Sequence, residues 1–127
     1  MKGVLSNMKF SSPSGKINET ELISDYESAE KFDKLRVGKK GVYFPYHFGA
    51  RYLPYEYIEN AFIRIHEVNG KLCCGSTVFQ YFRLVFVHDG KETDDYISEN
   101  EEAMTTALKA ISSNAPEISI GFNKDKS

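Results

Sequence analysis

The clearest structural signal in the chain is residues 98–116, SENEEAMTTALKAISSNAP. Ser98 and Glu101 have the spacing of a capping box, in which the two side chains satisfy free backbone N–H groups at a helix start. Asn114 and Pro116 are typical of a helix end. Four apolar residues lie between these signals at helical intervals: Met104, Ala107, Leu108 and Ile111. The pattern predicts an amphipathic helix with one narrow apolar face, which must pack on another apolar surface.

Segments of extended character precede this helix. Asn69-Gly70 and Asp89-Gly90 are typical of two-residue hairpin turns, because the central residues of such turns need positive φ. Pro54 favours a helical turn over residues 54–57. A short strand is also expected after the helix, at 118–122. The strands predicted before the helix are about seven in number: 35–37, 42–44, 51–53, 58–68, 72–79, 82–87 and 91–97.

The N-terminal part of the chain has two regions of different character. Its first residues are rich in Ser, Gly, Lys and Asn without any apolar period, which predicts a flexible tail. Leu22, Tyr26 and Ala29 then recur at helical spacing and predict a helix. For a chain of 127 residues we expect one domain. The predicted division is a tail at 1–20, a domain at 21–122 that begins with a helix at 21–33, and a charged tail at 123–127.

Composition excludes several classes of protein. The net charge is −2, so no basic field indicates a nucleic-acid partner. No apolar run approaches the roughly 18–20 residues that a membrane-spanning helix needs, and no signal peptide is evident. The two cysteines, Cys73 and Cys74, are adjacent, and adjacent cysteines seldom form a disulfide. We therefore expect free thiols and a cytoplasmic location.

The order of elements predicts a mainly β fold: a partly open antiparallel barrel whose open end is capped by the C-terminal helix. This order resembles pleckstrin-homology-like barrels. The chain is also similar, over residues 35–122, to a group of bacterial proteins of uncharacterised function with that fold. The resemblance implies a non-enzymatic scaffold that binds lipid headgroups, peptides or proteins, and it assigns no functional residue. The local sequences that carry it are GKK at 38–40, YFP at 43–45, LP at 53–54, RIHEV at 64–68, LCCG at 72–75 and IGF at 120–122.

Basic residues cluster around the first predicted hairpin, and they form the first candidate site. Lys34, Arg36, Lys39 and Lys40 lie in or beside it, and Arg51 follows in the next strand. Such a cluster can bind phosphate groups by charge-assisted hydrogen bonds. Lipid-binding pleckstrin-homology domains hold phosphoinositides with basic residues in this region, and Lys34-x-Arg36 resembles their pattern. The alternative is a hairpin whose lysines simply face water.

Aromatic residues are concentrated between residues 43 and 62, and they form the second candidate site. Tyrosine is favoured where one end of the side chain is dry and the other is wet. We therefore place Tyr52 and Tyr55 in a surface for a protein partner or a second copy of the chain. The alternative is aromatic filling of the barrel wall.

A thiol-dependent enzyme is the alternative function from another class. Across a hairpin turn at Asn69-Gly70, His66 would lie close to Cys73 or Cys74, and a cysteine nucleophile needs such a base. The cysteines lack the spacing of a redox or zinc site. We therefore expect a non-catalytic binding or assembly module with a protein partner or self-association, with anionic lipid as another possibility. We predict no catalytic residue, no metal, no cofactor and no nucleic acid.

Overall fold

The structure is a computed structural model that describes residues 10–13, 19–46, 49–72 and 75–124. Within these ranges the chain forms nine strands, two α-helices and one short 3-10 helix. In chain order they are β1 Phe10–Ser11, α1 Glu19–Ser28, β2 Glu30–Phe32, β3 Leu35–Val37, β4 Gly41–Tyr46, β5 Gly49–Pro54, the 3-10 helix Tyr55–Tyr57, β6 Asn60–Leu72, β7 Gly75–His88, β8 Lys91–Ser98, α2 Glu101–Asn114 and β9 Ser119–Lys124.

The strands form two mixed sheets. The first sheet has the order β1-β5-β4-β3-β2, and the second has the order β8-β7-β6-β9. Strand β1 is parallel to β5, and β9 is parallel to β6, whereas the other pairs are antiparallel. Strand β9 runs parallel because α2 carries the chain back to the end of the sheet where β8 began. The prediction of about seven antiparallel strands is therefore corrected to nine strands in two mixed sheets, which do not close into a barrel over the described residues.

Helix α2 packs between the two sheets. It contacts β2 and β3 of the first sheet and β6, β7 and β9 of the second. Its predicted apolar face is confirmed, since all four residues of that face are fully buried: Met104, Ala107, Leu108 and Ile111. They belong to the main core together with apolar residues of both sheets. Neither described α-helix combines the length and the apolar character needed to traverse a bilayer.

The start of α2 differs from the prediction. The Ala103 N–H donates to Asn100 Oδ1 at 3.0 Å, so Asn100 is the N-cap. Ser98 instead is the last residue of β8, paired with Phe82, and its hydroxyl accepts a bond from the Asn100 N–H at 3.0 Å. The capping-box prediction is wrong because sheet pairing extends the strand through Ser98.

The predicted N-terminal helix is shorter than expected. Helix α1 ends at Ser28, and residues 30–32 turn into β2, which pairs with β3. Asp33 has a φ of 59° in the tight turn between these strands. Phe32, which the sequence placed near the end of the helix, is therefore a buried strand residue.

Helix α1 covers the other face of the first sheet and forms a second, smaller core. Its Leu22 packs there with residues of β1, β4 and β5: Phe10, Tyr43, Ala50 and Tyr52. Of the predicted tail at 1–20, residues 10–11 thus form a strand and residues 19–20 begin α1. Apart from residues 12–13, the rest of that tail lies outside the described residues. At the C-terminus, β9 extends to Lys124, two residues into the predicted charged tail.

The long hairpin of β6 and β7 has a different register from the predicted one. Asn69 and Gly70 lie within β6, paired with Val78 and Thr77, so they do not form the turn. Leu72 pairs with Gly75, and the connection between them lies outside the described residues. Residues 75–79 and 82–87, which were predicted to lie in two strands, belong to one continuous strand, β7. The predicted turn at Asp89-Gly90 and the helical turn after Pro54 are confirmed.

Candidate functional site

The predicted cationic residues do not converge on one anion site. Lys40 Nζ lies 3.2 Å from Glu21 Oε1. The Arg36 guanidinium donates to the Tyr26 carbonyl at 2.9 Å and lies over the Tyr26 ring, 4.1 Å from its centroid. Each of these cations is occupied by its own neighbour on α1. This arrangement favours the alternative of separate surface charges over a phosphate cradle.

The residues around Gly38 are held instead by one buried carboxylate, Asp25 of α1. Its oxygens accept bonds from the backbone N–H groups of Lys39 at 2.9 Å and Lys40 at 3.1 Å. The Tyr43 hydroxyl donates to the same carboxylate at 2.7 Å. Lys39 and Lys40 therefore contribute their backbones to this cluster, while both residues remain exposed.

The cluster requires a glycine at position 38. A Cβ atom there would lie 2.3 Å from Asp25 Oδ2. The Gly38 carbonyl accepts from the Tyr55 hydroxyl and, at 3.0 Å, from Asn114 Nδ2 at the end of α2. We call this group of residues the Asp25 hub: Asp25, Gly38, Tyr43, Tyr55 and Asn114. It joins both helices to the β3–β4 hairpin.

Tyrosines of the hub and its surroundings are neutral and buried. Burial, together with the Asp25 carboxylate, raises the pKa of Tyr43 far above its usual range. Burial also raises the pKa of Tyr52 and of Tyr55 to about 12. Both residues are only 8% exposed, which corrects their predicted place on a partner surface. Their size and apolar rings make them core residues here, with the hydroxyl groups bonded to backbone carbonyls.

An open groove lies elsewhere, along β8. It consists of two adjoining cavities of about 480 and 750 Å³ that share Pro45, Tyr96 and Ile97 as walls. Residues 93–97 line the first cavity and residues 96–100 line the second, without a gap in either series. Because alternate strand residues point to opposite faces, consecutive residues can all line a groove only if it follows the edge of the strand. We call this feature the β8 groove.

The polar groups of the groove connect the two sheets. Arg51 of β5 forms a two-point ion pair with Asp94 of β8, with Nε to Oδ1 at 2.8 Å and Nη2 to Oδ2 at 3.4 Å. The Arg51 guanidinium also donates to Ser11 Oγ at 3.0 Å. Arg51, a predicted anion ligand, is thus already bound to a carboxylate with 9% side-chain exposure.

A second polar link stands at the other end of the groove. The Tyr96 hydroxyl donates to Asp33 Oδ2 at 2.7 Å and accepts from the Lys34 N–H at 2.9 Å. The bond from Tyr96 holds the pKa of Asp33 below its usual range, so this carboxylate is charged at neutral pH. Lys34, another predicted ligand, lines the groove beside this Asp33 carboxylate.

Of the proposed cysteine–histidine pair, His66 lies among the described residues and the cysteines do not. His66 pairs with Tyr81, and the two rings stack with centroids 4.9 Å apart. Leu72, the last described residue before the cysteines, is six positions further along β6, about 20 Å away in an extended strand. Cys73 and Cys74 themselves lie outside the described residues. The hairpin turn at Asn69-Gly70, on which their predicted closeness to His66 depended, is not formed.

Of the residues that line the groove, Lys34 and Arg51 were among the predicted ligands, whereas sequence reasoning missed those of β8. Ile97 is 50% exposed and Tyr46 is 39% exposed, although both belong to strands. The sequence signal for an edge strand was present in the polar run KETDD at 91–95, but nothing local showed which part of the first sheet would face it. Over the described residues, no group of three His, Cys, Asp or Glu side chains is placed to hold a metal ion.

Fold and site together define a mainly β domain in which one helix lies between two mixed sheets and a groove follows the edge of the second. The chain belongs to the family described as a domain of unknown function, DUF6709, which matches residues 7–127. Comparison of the chain with curated proteins and with solved structures found no match.

Proposed function

We propose that this chain is a non-catalytic binding or assembly module and that it recognises a protein through the β8 groove. The observation that carries the proposal is the open groove beside an edge strand, with Ile97 half exposed in its wall. Half-exposed apolar and aromatic residues beside polar ones are typical of surfaces that bind other proteins.

The scaffold proposed for this function is pleckstrin-homology-like, related to the bacterial proteins that the sequence resembles. Its support is the succession of a four-strand meander, β2 to β5, a three-strand meander, β6 to β8, and then helix α2. Strands β1 and β9 and helix α1 are additions to that plan. The adjacent cysteines favour a reducing compartment, so we place the module in the cytoplasm.

Selection from a random library of short linear peptides tests the proposal. The full chain is compared with Ile97→Glu, which places a charge in the groove. Ile120→Glu is the matched control, because Ile120 is an exposed isoleucine, 38% exposed, on β9 at the opposite edge of the same sheet. We expect peptides enriched by the full chain and by Ile120→Glu to be lost with Ile97→Glu. Enrichment that is equal for all three proteins, or absent for all, would refute a protein-binding groove.

A further inference from the structure

The free strand edge and the charges of the β8 groove indicate which kind of protein segment it binds. We propose that β8 accepts an extended, basic segment of a partner protein as an additional strand, an inference that rests on the function proposed above. On the face that meets Asp95 and Ile97, the segment carries a Lys or Arg and an apolar residue two positions apart.

The backbone of β8 has a free edge to which another strand can be added. One edge of β8 pairs with β7, and none of the other described strands pairs with its opposite edge. The N–H and C=O groups on such an edge are unused by the sheet and can form a ladder with an incoming extended segment. The groove that follows residues 93–100 leaves space for a segment beside this edge.

The side chains of β8 define what the added strand should carry. Asp95 and Ile97 lie on the face of the sheet away from the core, and Ile97 is half exposed. Residues of an added strand that share this face would lie beside them, so an apolar residue next to Ile97 is favoured. A cation next to Asp95 would share this half-exposed carboxylate with Arg83. Pro45 and Tyr46 form the opposite wall, where an apolar or aromatic side chain can pack.

Charge complementarity selects a basic segment. Four carboxylates line the two cavities: Asp33, Asp94, Asp95 and Glu99. Two cations line them too, Lys34 and Arg51, and Arg83 pairs with Asp95 with Nε 3.2 Å from Oδ2, which leaves a charge of −1. The Arg51 charge is already matched by Asp94. A lysine or arginine entering the groove therefore meets unmatched negative charge, whereas an acidic segment is repelled.

The same charges disfavour a second copy as the occupant. Two β8 strands that pair antiparallel about their centre would place the carboxylates of Asp94 and Asp95 opposite those of the other copy. Like charges directly opposite each other destabilise a sheet. Strand addition by a basic partner segment avoids this repulsion.

The experiment uses three synthetic peptides and the full chain. The first peptide repeats Lys-Thr-Val-Thr, which puts Lys and Val two positions apart on one face. The second replaces each Lys with Glu, and the third carries N-methyl groups on alternate residues of the first. Binding is measured by nuclear magnetic resonance titration of backbone amides and by competition against a peptide selected from the library. We expect the first peptide to shift the amides of β8, the Glu peptide to bind about tenfold more weakly or worse, and N-methylation on the paired edge to cost a similar factor.

The outcomes separate this inference from the proposed function. Two results would refute strand addition by a basic segment and leave the binding groove standing. In the first, the selected peptides depend on Ile97 but lack basic residues. In the second, they still bind when either set of alternate backbone nitrogens is methylated. A chain that sediments as a dimer, and becomes monomeric with Ile97→Glu but not with Ile120→Glu, would assign the groove to a second copy and overturn the inference. Ile97→Thr, which keeps a β-branched residue, serves if the glutamate variant does not fold.

Discussion

The Asp25 hub and the β8 groove use similar residues to opposite effect. In the hub, a carboxylate, tyrosine hydroxyls and backbone groups satisfy one another, and Gly38 lies too close to Asp25 for a Cβ atom. In the groove, carboxylates and a tyrosine again link neighbouring strands, but open cavities remain beside them. The hub therefore stabilises the fold, whereas the groove is the place where a further molecule can add contacts. Substitutions should reveal this difference as large losses of stability in the hub and small ones in the groove.

The strongest test of the hub is Asp25→Ala. This change removes the acceptor for two backbone N–H groups and for the buried Tyr43 hydroxyl. Buried donors that lose their partner each cost roughly 1–3 kcal/mol, so we expect a loss of about 3–5 kcal/mol in the free energy of unfolding. Chemical denaturation followed by circular dichroism measures it.

Glu21→Ala is the control for that measurement. Glu21 also lies on α1 and contacts Lys40, but its side chain is 57% exposed. An exposed ion pair contributes less than about 1 kcal/mol. If both variants lost the same small amount of stability, the hub would not be the structural centre that its contacts indicate.

The second test concerns the space around Gly38. In Gly38→Ala the new methyl group would approach Asp25 Oδ2 to 2.3 Å, and three hydrogen bonds hold that carboxylate in place. We expect a loss of about 1–3 kcal/mol in the free energy of unfolding, as for other overpacked sites. The loss should shrink when Asp25 is already alanine, because the two changes act on the same contact.

Gly121→Ala provides the comparison for this crowding. Gly121 lies in β9, and a Cβ atom there would have no neighbour within 4 Å. We expect little change in its denaturation midpoint. Equal losses at both glycines would point to a general cost of replacing glycine and would remove the argument from close approach.

The third test moves to the wall of the groove and compares neighbours in sequence. Asp94→Asn leaves the Arg51 guanidinium without its counter-charge in a site where the two side chains are 9% and 16% exposed. We expect a loss of about 1–2 kcal/mol. Asp95→Asn, whose side chain is 42% exposed beside Arg83, should cost less than about 0.5 kcal/mol. Thermal unfolding of both variants measures the two losses of stability. A larger loss for Asp95→Asn than for Asp94→Asn would contradict the prediction.

Sequence reasoning was accurate where a pattern is local and periodic. The apolar face of α2, with Met104 and Leu108, depends only on helical spacing, and both residues are fully buried. The hairpin turn at Asp89-Gly90 was predicted for the same reason, since positive φ is a property of the dipeptide itself.

It failed where distant pairing overrides a local signal. A turn at Asn69-Gly70 would have put Ile63 opposite Ser76, whereas the observed register puts Ile63 opposite Leu84 in the core. The gain from the apolar pairs between residues 61–65 and 82–86 outweighs the preference of one turn. In the same way, the two sides of the groove come from strands more than forty residues apart, such as Arg51 and Asp94, and no local pattern connects them.

The smallest expected effect concerns the far end of the groove and depends on pH. In Tyr96→Phe, Asp33 loses the hydroxyl that holds its pKa below the ordinary value of 3.8, so this pKa should rise toward that value. Because the lowered pKa belongs to the folded state, the stability from this bond is present above about pH 4 and disappears as the pH falls through the pKa of folded Asp33. We expect Tyr96→Phe to be less stable by under about 1 kcal/mol at pH 7, since Asp33 is exposed, and the difference to narrow in acid. Carboxyl titration by nuclear magnetic resonance measures the pKa of Asp33 in both proteins. An unchanged titration would show that the hydroxyl does not bind Asp33 in solution, and this end of the groove would then be open to a cation.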